Sequence, residues 1–269
     1  MHSLPSQSSA SADHVTPASA SPAIENQRTV AAEACEAKAD TWAMKVSENQ
    51  SEREAAFRLL HQVYYRAGLT GDDDRGMRVL KHHLSDQTDV MVAKRNGTVV
   101  FTMSLVRDAE YGMPLESLFA DEVQTMRNEG VQLAEVSSLA SDSSLESKSE
   151  QFALLVKMIS LTLQAARRRG VDRLLLAVHP RHARVYQRLF GCVICSDVRE
   201  YAAVEGNPAV LCMHDFAELD KTGYPLYDQV YNPQYNPWQL DGAKMSEAEK
   251  EYFGHAVADH NSAMVALGG

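Results

Sequence analysis

Glu135 lies inside Gln132-Leu133-Ala134-Glu135-Val136-Ser137-Ser138-Leu139-Ala140, a stretch that alternates like a β-strand. An ionised carboxylate in mid-strand is costly to bury without a partner. Opposite an arginine or lysine it is a structural ion pair. Otherwise it can hold an ammonium group, or take its proton directly or through water. Strand alternation puts Glu135 and Ser137 on one face with Leu133 and Leu139. Tyr186 is the second chemical group. It follows the apolar run Leu174–Val178 and lies in His179-Pro180-Arg181-His182-Ala183-Arg184-Val185-Tyr186-Gln187-Arg188-Leu189-Phe190-Gly191. Proline suits the first position of a helix and glycine suits its stop. The tyrosine therefore sits on the second turn, either as a proton donor or as a ring packed on a sheet. The third feature is charge. Arg167, Arg168, Arg169, Arg173, Arg181, Arg184 and Arg188 stand against one acid, Asp172, a local excess of six in a chain of net charge −10. Such a patch can steer an acidic partner into place; the bland reading is a helix C-terminus and a solvated face. Nucleic acid would compete for it, but the flanking helix is apolar throughout and offers no recognition surface.

The remaining chemistry is sparse. Cys192-x-x-Cys195 has no second pair or histidine at zinc spacing, so no metal site is expected. Four cysteines in 269 residues fit a reducing compartment rather than a disulfide framework. Asp72-Asp73-Asp74 reads as a solvated loop, or as a hold for an amine. No run reaches the length of a membrane span and no signal-peptide core opens the chain, so the expected location is the cytoplasm.

Positioning elements follow from periodicity. Residues 1–40 are Ser/Ala/Pro-rich, lack large apolar side chains near their start and read as a disordered tail, with a marginal helix around Thr29–Ala39. Thr41–Val46 alternates as a first strand. Ser51 and Glu54 resemble a capping box for a helix through Tyr65, and an amphipathic stretch spans Arg75–Leu84. Asn96-Gly97 between two apolar alternating runs predicts a hairpin. A helix is expected over Pro114–Asn128, then the Glu135 strand. After a polar loop (141–150) comes a helix over Phe152–Ala166 that is apolar nearly all round and hence buried. Val193-Ile194 and Ala209–Met213 close the domain at about residue 215. Residues 216–269 form an extension with a terminal helix from Ser246, capped by Glu249, draped over the domain or set at an oligomer contact. The order predicts an α/β domain with a mixed, mostly antiparallel sheet flanked by helices.

The Pro180–Gly191 segment resembles the C-terminal signature of the GCN5-related N-acetyltransferase (GNAT) superfamily. Glu135–Ala140 resembles the Glu-x-Ser-Arg strand of acyl-homoserine-lactone (AHL) synthases, and His61-Gln62-Val63-Tyr64-Tyr65-Arg66-Ala67-Gly68-Leu69 resembles their first helix and its exit. Together, over residues 41 to about 215, the chain most resembles the long-chain N-acyl amino acid synthases, the N-acyltyrosine synthase type. The resemblance implies a GNAT-like fold and transfer of a fatty acyl group to an amino acid α-amine, tyrosine being the implied acceptor. Glu135 would then serve the amine and Tyr186 the departing thiolate. Backbone N–H groups around Leu139 and Ala140, with Ser137 and Ser138 beside them, would stabilise the oxyanion. Arg58 or His61 would take the acceptor's carboxylate, and Met103, Phe101, Phe152, Leu155 and Ile159 would line an acyl tunnel.

Two departures refine this. The region that receives coenzyme A in ordinary acetyltransferases needs glycines for close approach to a pyrophosphate; here Ser143–Gln151 has none, and two acids. That favours an acyl-phosphopantetheine donor on acyl carrier protein, with the seven arginines as its docking surface and no bound cofactor. A lipophilic product would also allow transient membrane association. Ser138 stands where AHL synthases have arginine, which argues against their methionine-derived substrate. The alternatives are an AHL-type signal synthase and a non-catalytic module that binds carrier protein.

Overall fold

The computed structural model describes residues 40–142 and 147–266, with side chains to residue 257. The expected N-terminal tail, the helix around Thr29–Ala39 and part of the glycine-free loop lie outside the described residues.

The chain runs β1 (Trp42–Val46), α1 (Gln50–Arg66), β2 (Thr88–Arg95), β3 (Thr98–Arg107), α2 (Glu116–Asn128), β4 (Leu133–Ser141), α3 (Lys148–Arg168), β5 (Arg173–Val178), α4 (Pro180–Phe190), β6 (Val193–Ile194), β7 (Arg199–Tyr201) and β8 (Asn207–Asp215). The strand order is β1-β2-β3-β4-β5-β8-β6, with β7 also on β8. Among the described residues only β4–β5 pairs in parallel. α3 and α4 cover one face, packing Met158, Leu161, Ala183 and Phe190 on Met91, Met103 and Leu174. The other face carries α1 over Val90 and Val92 and α2 over Leu133, Leu175 and Leu211. The Asn96-Gly97 turn forms as its residues dictate, with φ of 53° and 85°.

The local differences have local causes. α1 begins two residues before the expected cap: Asn49 accepts from the Glu52 N–H, and Glu52 accepts from the Glu48 N–H. Ser51 is inside the helix. The Arg75–Leu84 stretch is not a helix. Gly76 takes φ +60°, and only Lys81–Leu84 turns, as a 3-10 segment. The Asp72–Asp74 loop uses its carboxylates on its own turn, Asp73 accepting from the Arg75 N–H. α3 starts at Lys148, earlier than periodicity indicates, because Ser147 accepts from the Glu150 N–H. β7 was not expected; its Arg-Glu-Tyr sequence has no apolar alternation.

Past β8 come α5 (Phe216–Thr222), α6 (Tyr227–Tyr231), α7 (Pro237–Leu240) and α8 (Glu247–Ala266). This extension drapes over the domain. Val230 and Leu240 join the α3-side core, Phe253 joins the α1-side core, and Gln239 donates to the Met44 carbonyl at 3.0 Å. The Ser246–Glu249 capping box forms in both directions. No described helix is long and apolar enough to cross a membrane.

Candidate active site

β4 carries the site because its geometry breaks twice. Its parallel pairing with β5 runs from Leu133–Arg173 to Glu135–Leu175 and stops, so the two strands part beyond Glu135. On its other edge the register against β3 jumps, Ser104 facing Ser137 and Thr102 facing Ala140. Met103 alone therefore opposes Ser138 and Leu139. That is a bulge, and Ser138 takes φ +53° to make it. The extra residue resets the alternation. Val136 and Leu139 both face the α3/α4 side, where they line a cavity. The expectation that Leu139 shares a face with Glu135 fails for this reason.

Ser138 is held by a residue that periodicity did not mark. His83 is buried, and burial pushes its pKa down to about 3. Its Nδ1 accepts from the Leu80 N–H at 3.0 Å, so a neutral ring carries its proton on Nε2. Nε2 lies 3.3 Å from both the Ser138 and the Ser104 hydroxyls. The ring stacks on Phe57 of α1, centroids 4.8 Å apart.

Glu135 is 2% exposed. Burial raises its pKa to about 8, against the pull of the Leu115 N–H, which donates to Oε2 at 2.8 Å, and of the Ser137 hydroxyl; Glu116 raises it further. No ion pair to a cation forms at Glu135 among the described residues, so the structural ion-pair reading finds no partner. Around it stand Tyr201 and Tyr64, whose phenols are raised first by burial and in part by Glu135. Arg78 is buried beside them, its guanidinium 5.2 Å from the Tyr64 ring centre, donating to Thr70 Oγ1 and the Ala203 carbonyl. Neither Tyr64 nor Arg78 was singled out from sequence. Tyr64 reads as one more apolar position of α1, and Arg78 lies in the stretch mistaken for a helix.

Tyr186 lies on the other face. α4 forms as the sequence requires: the His179 side chain accepts from the Arg181 N–H, Pro180 opens the helix, and Gly191 ends it at φ +69°. Tyr186 lines the cavity with Met103, Val136, Leu139, Ile159 and His214. Burial lifts its phenol to about 12, with smaller contributions from Cys192, Cys212 and Tyr64. Tyr64 thus lies within electrostatic reach of both Glu135 and Tyr186.

The other expected site residues divide. Met103 and Ile159 line the cavity. Phe101 is enclosed in the core and Phe152 is 40% exposed, so neither lines it; Leu155 packs on the core margin. Ala140 packs against Leu59 and Leu60. Arg58 is on the outer side of α1, bound by Glu54 and the Arg75 carbonyl. His61 is buried, its Nε2 without a hydrogen-bond partner among the described residues. The arginine cluster splits as well. Arg167 binds Asp220, Arg168 binds Asp241, Arg169 binds Asp89, and Arg173 binds Asp215 and Glu129. Their charge is answered within the fold. Arg181, Arg184 and Arg188 are exposed along α4 and form no ion pair among the described residues. Cys192, Cys195 and Cys212 are free.

A bulged β4 that parts from β5 in a mostly antiparallel sheet with helices on both faces is a GNAT-like fold. The family model of the N-acyl amino acid synthase FeeM matches residues 55–215. The chain belongs to that family. Among solved structures, FeeM from uncultured soil microbes is 21% identical over 70% of this chain and 98% of its own, with a TM-score of 0.60. The AHL synthase LasI is 11% identical over 73% and 97%, with a TM-score of 0.50. At these identities the likeness speaks for the fold. No curated protein matches the chain.

Proposed function

We propose that this protein joins a fatty acyl group, carried as a thioester on acyl carrier protein, to the α-amine of an amino acid. One observation carries the reading. The sheet separates an apolar cavity holding Tyr186 from a buried carboxylate that has no cation partner among the described residues, and the β4–β5 pairing ends at that carboxylate. The first side, whose apolar walls enclose about 30 Å3 here and must move apart to admit a chain, would take the acyl group, and the second the amine.

In this scheme Glu135, with a pKa near 8, takes a proton from the acceptor's ammonium. The amine nitrogen attacks the thioester carbon. The oxyanion meets backbone N–H groups of β4 near Leu139 and Ala140, past the end of the β5 pairing. As the C–S bond breaks, the second proton of the former ammonium leaves nitrogen for the departing sulfur, and Tyr186 supports that sulfur. A phenol at about 12 stays protonated and donates a hydrogen bond to a thiolate, which is the weaker base. Arg78 supplies the positive side for the acceptor's carboxylate, in place of the outward-facing Arg58. Tyrosine as acceptor rests on resemblance.

Two features favour a carrier-protein donor over coenzyme A. The start of α3 is capped by Ser147 and bears Glu150 in its first turn, an environment that repels a pyrophosphate. Arg181, Arg184 and Arg188, unpaired among the described residues, offer a basic face on the helix that carries Tyr186. Lipids extracted from cells expressing the protein should contain new N-acyl amino acids by mass spectrometry. Their absence, with carrier protein still bound by the purified protein, would replace the enzyme by a binding module. Turnover with acyl-coenzyme A equal to that with acyl carrier protein would remove the donor assignment.

A further inference from the structure

A cleft of about 410 Å3 lies away from the site above. It is bounded by the ends of β1 and β3, the start of β2, the C-terminal end of α3 and residues 241–245 of the extension. Arg107 pairs with Ala134 near the start of β4, while the bulge at Ser138 is toward that strand's other end. Gly242 closes one wall. A Cβ there would come within 2.6 Å of the Ser47 carbonyl and closer still to Val46, so only glycine lets the extension approach.

The charges of this cleft are almost all answered. Arg53 is bound by Glu249, Arg168 by Asp241, Arg169 by Asp89 and Lys244 by Asp86. Arg107 is the exception among the cations lining it: it forms no ion pair among the described residues, and the Asp89 carboxylate that acts on it from across the cleft is held by Arg169. Its Nη2 reaches only the Asp86 carbonyl, at 3.4 Å, and its Nε is buried without an acceptor. On the same cleft the Ser47 hydroxyl, in a residue 1% exposed, has no hydrogen-bond partner among the described residues either. A buried donor left unmade is costly, and here a cation and a hydroxyl are left unmade on one cavity. The volume is that of a small-metabolite site.

We propose that this cleft binds a small anion through a phosphate or carboxylate group, held by the Arg107 guanidinium and the Ser47 hydroxyl. Arg168 and Lys244 at the rim favour its approach without being free to fork it. The site is separate from the acyl-transfer chemistry and does not depend on it.

Calorimetric titration of the full-length protein at fixed ionic strength, with potassium phosphate and with citrate and no acyl donor present, tests this. Saturable binding of either is expected. A response to phosphate alone identifies a phosphorylated ligand, and a response to citrate alone identifies a carboxylate. Arg107→Met should weaken binding by ~tenfold or more and Ser47→Ala by a smaller factor, while Lys221→Ala, on an exposed helix elsewhere, should not change it. Circular dichroism checks that Arg107→Met is folded; if it is not, Ser47→Ala, which removes only an unpaired hydroxyl, decides. Absence of saturable binding by both anions, or an unchanged dissociation constant in the folded variants, overturns the proposal.

Discussion

Replacing Glu135 with glutamine separates chemistry from stability. Burial raises the carboxyl from 4.5 to about 8. Below pH 4.5 folded and unfolded chains both hold the proton. Between 4.5 and about 8 the unfolded chain releases it and the folded chain keeps it, so stability falls as pH rises; above 8 the loss is complete. At about 1.36 kcal/mol per pH unit, the burden at pH 7 is on the order of 3 kcal/mol. Glutamine resembles the protonated acid and still accepts from the Leu115 N–H. Glu135→Gln should therefore raise stability at pH 7 by up to about 3 kcal/mol, several degrees in melting temperature, and bring no gain at pH 4. Acyl transfer should fall by at least a hundredfold if the carboxylate takes the ammonium's proton, and the wild-type kcat/KM should climb with pH through an apparent pKa near 8. Denaturant melts at the two pH values and a coupled thiol-release assay measure both effects. Normal turnover in the variant would remove Glu135 from the chemistry. An equal stability change at both pH values would mean that the buried carboxylate is already ionised and paired.

Tyr186→Phe should lower kcat by about a hundredfold with little change in KM, read by the same assay; an unchanged kcat leaves the ring as packing only. Charge reversal of Arg181, Arg184 and Arg188 should raise the KM for acyl carrier protein by about tenfold at low salt, the effect shrinking as salt is added; a salt-independent KM would move docking elsewhere. Arg169→Ala should act through stability rather than docking. It strands the buried Asp89 carboxylate, at a cost of about 3 kcal/mol, and a thermal melt lowered by roughly 10 °C with an unaltered KM is the expected result.

The amino-acid sequence by itself determined the elements whose signals are local. Asn96-Gly97 made its turn, Pro180 and Gly191 bounded α4, and Ser246 with Glu249 capped the last helix, because each acts on the backbone within a few residues. Glu135 was visible for a similar reason, as a carboxylate among apolar neighbours on a strand. What each group meets was decided only by the tertiary structure. Seven arginines look alike in one dimension; only the return of Asp89, Asp215, Asp220 and Asp241 from distant segments shows that four are spent inside the fold and three on α4 are not. The bulge at Ser138 has no local signature, since a serine at φ +53° is sustained by His83 from another segment. That one backbone reversal places Leu139 in the cavity beside Tyr186 and leaves Glu135 on the far side. Tyr64 and Arg78 reach Glu135 only through packing, which no spacing along the chain encodes.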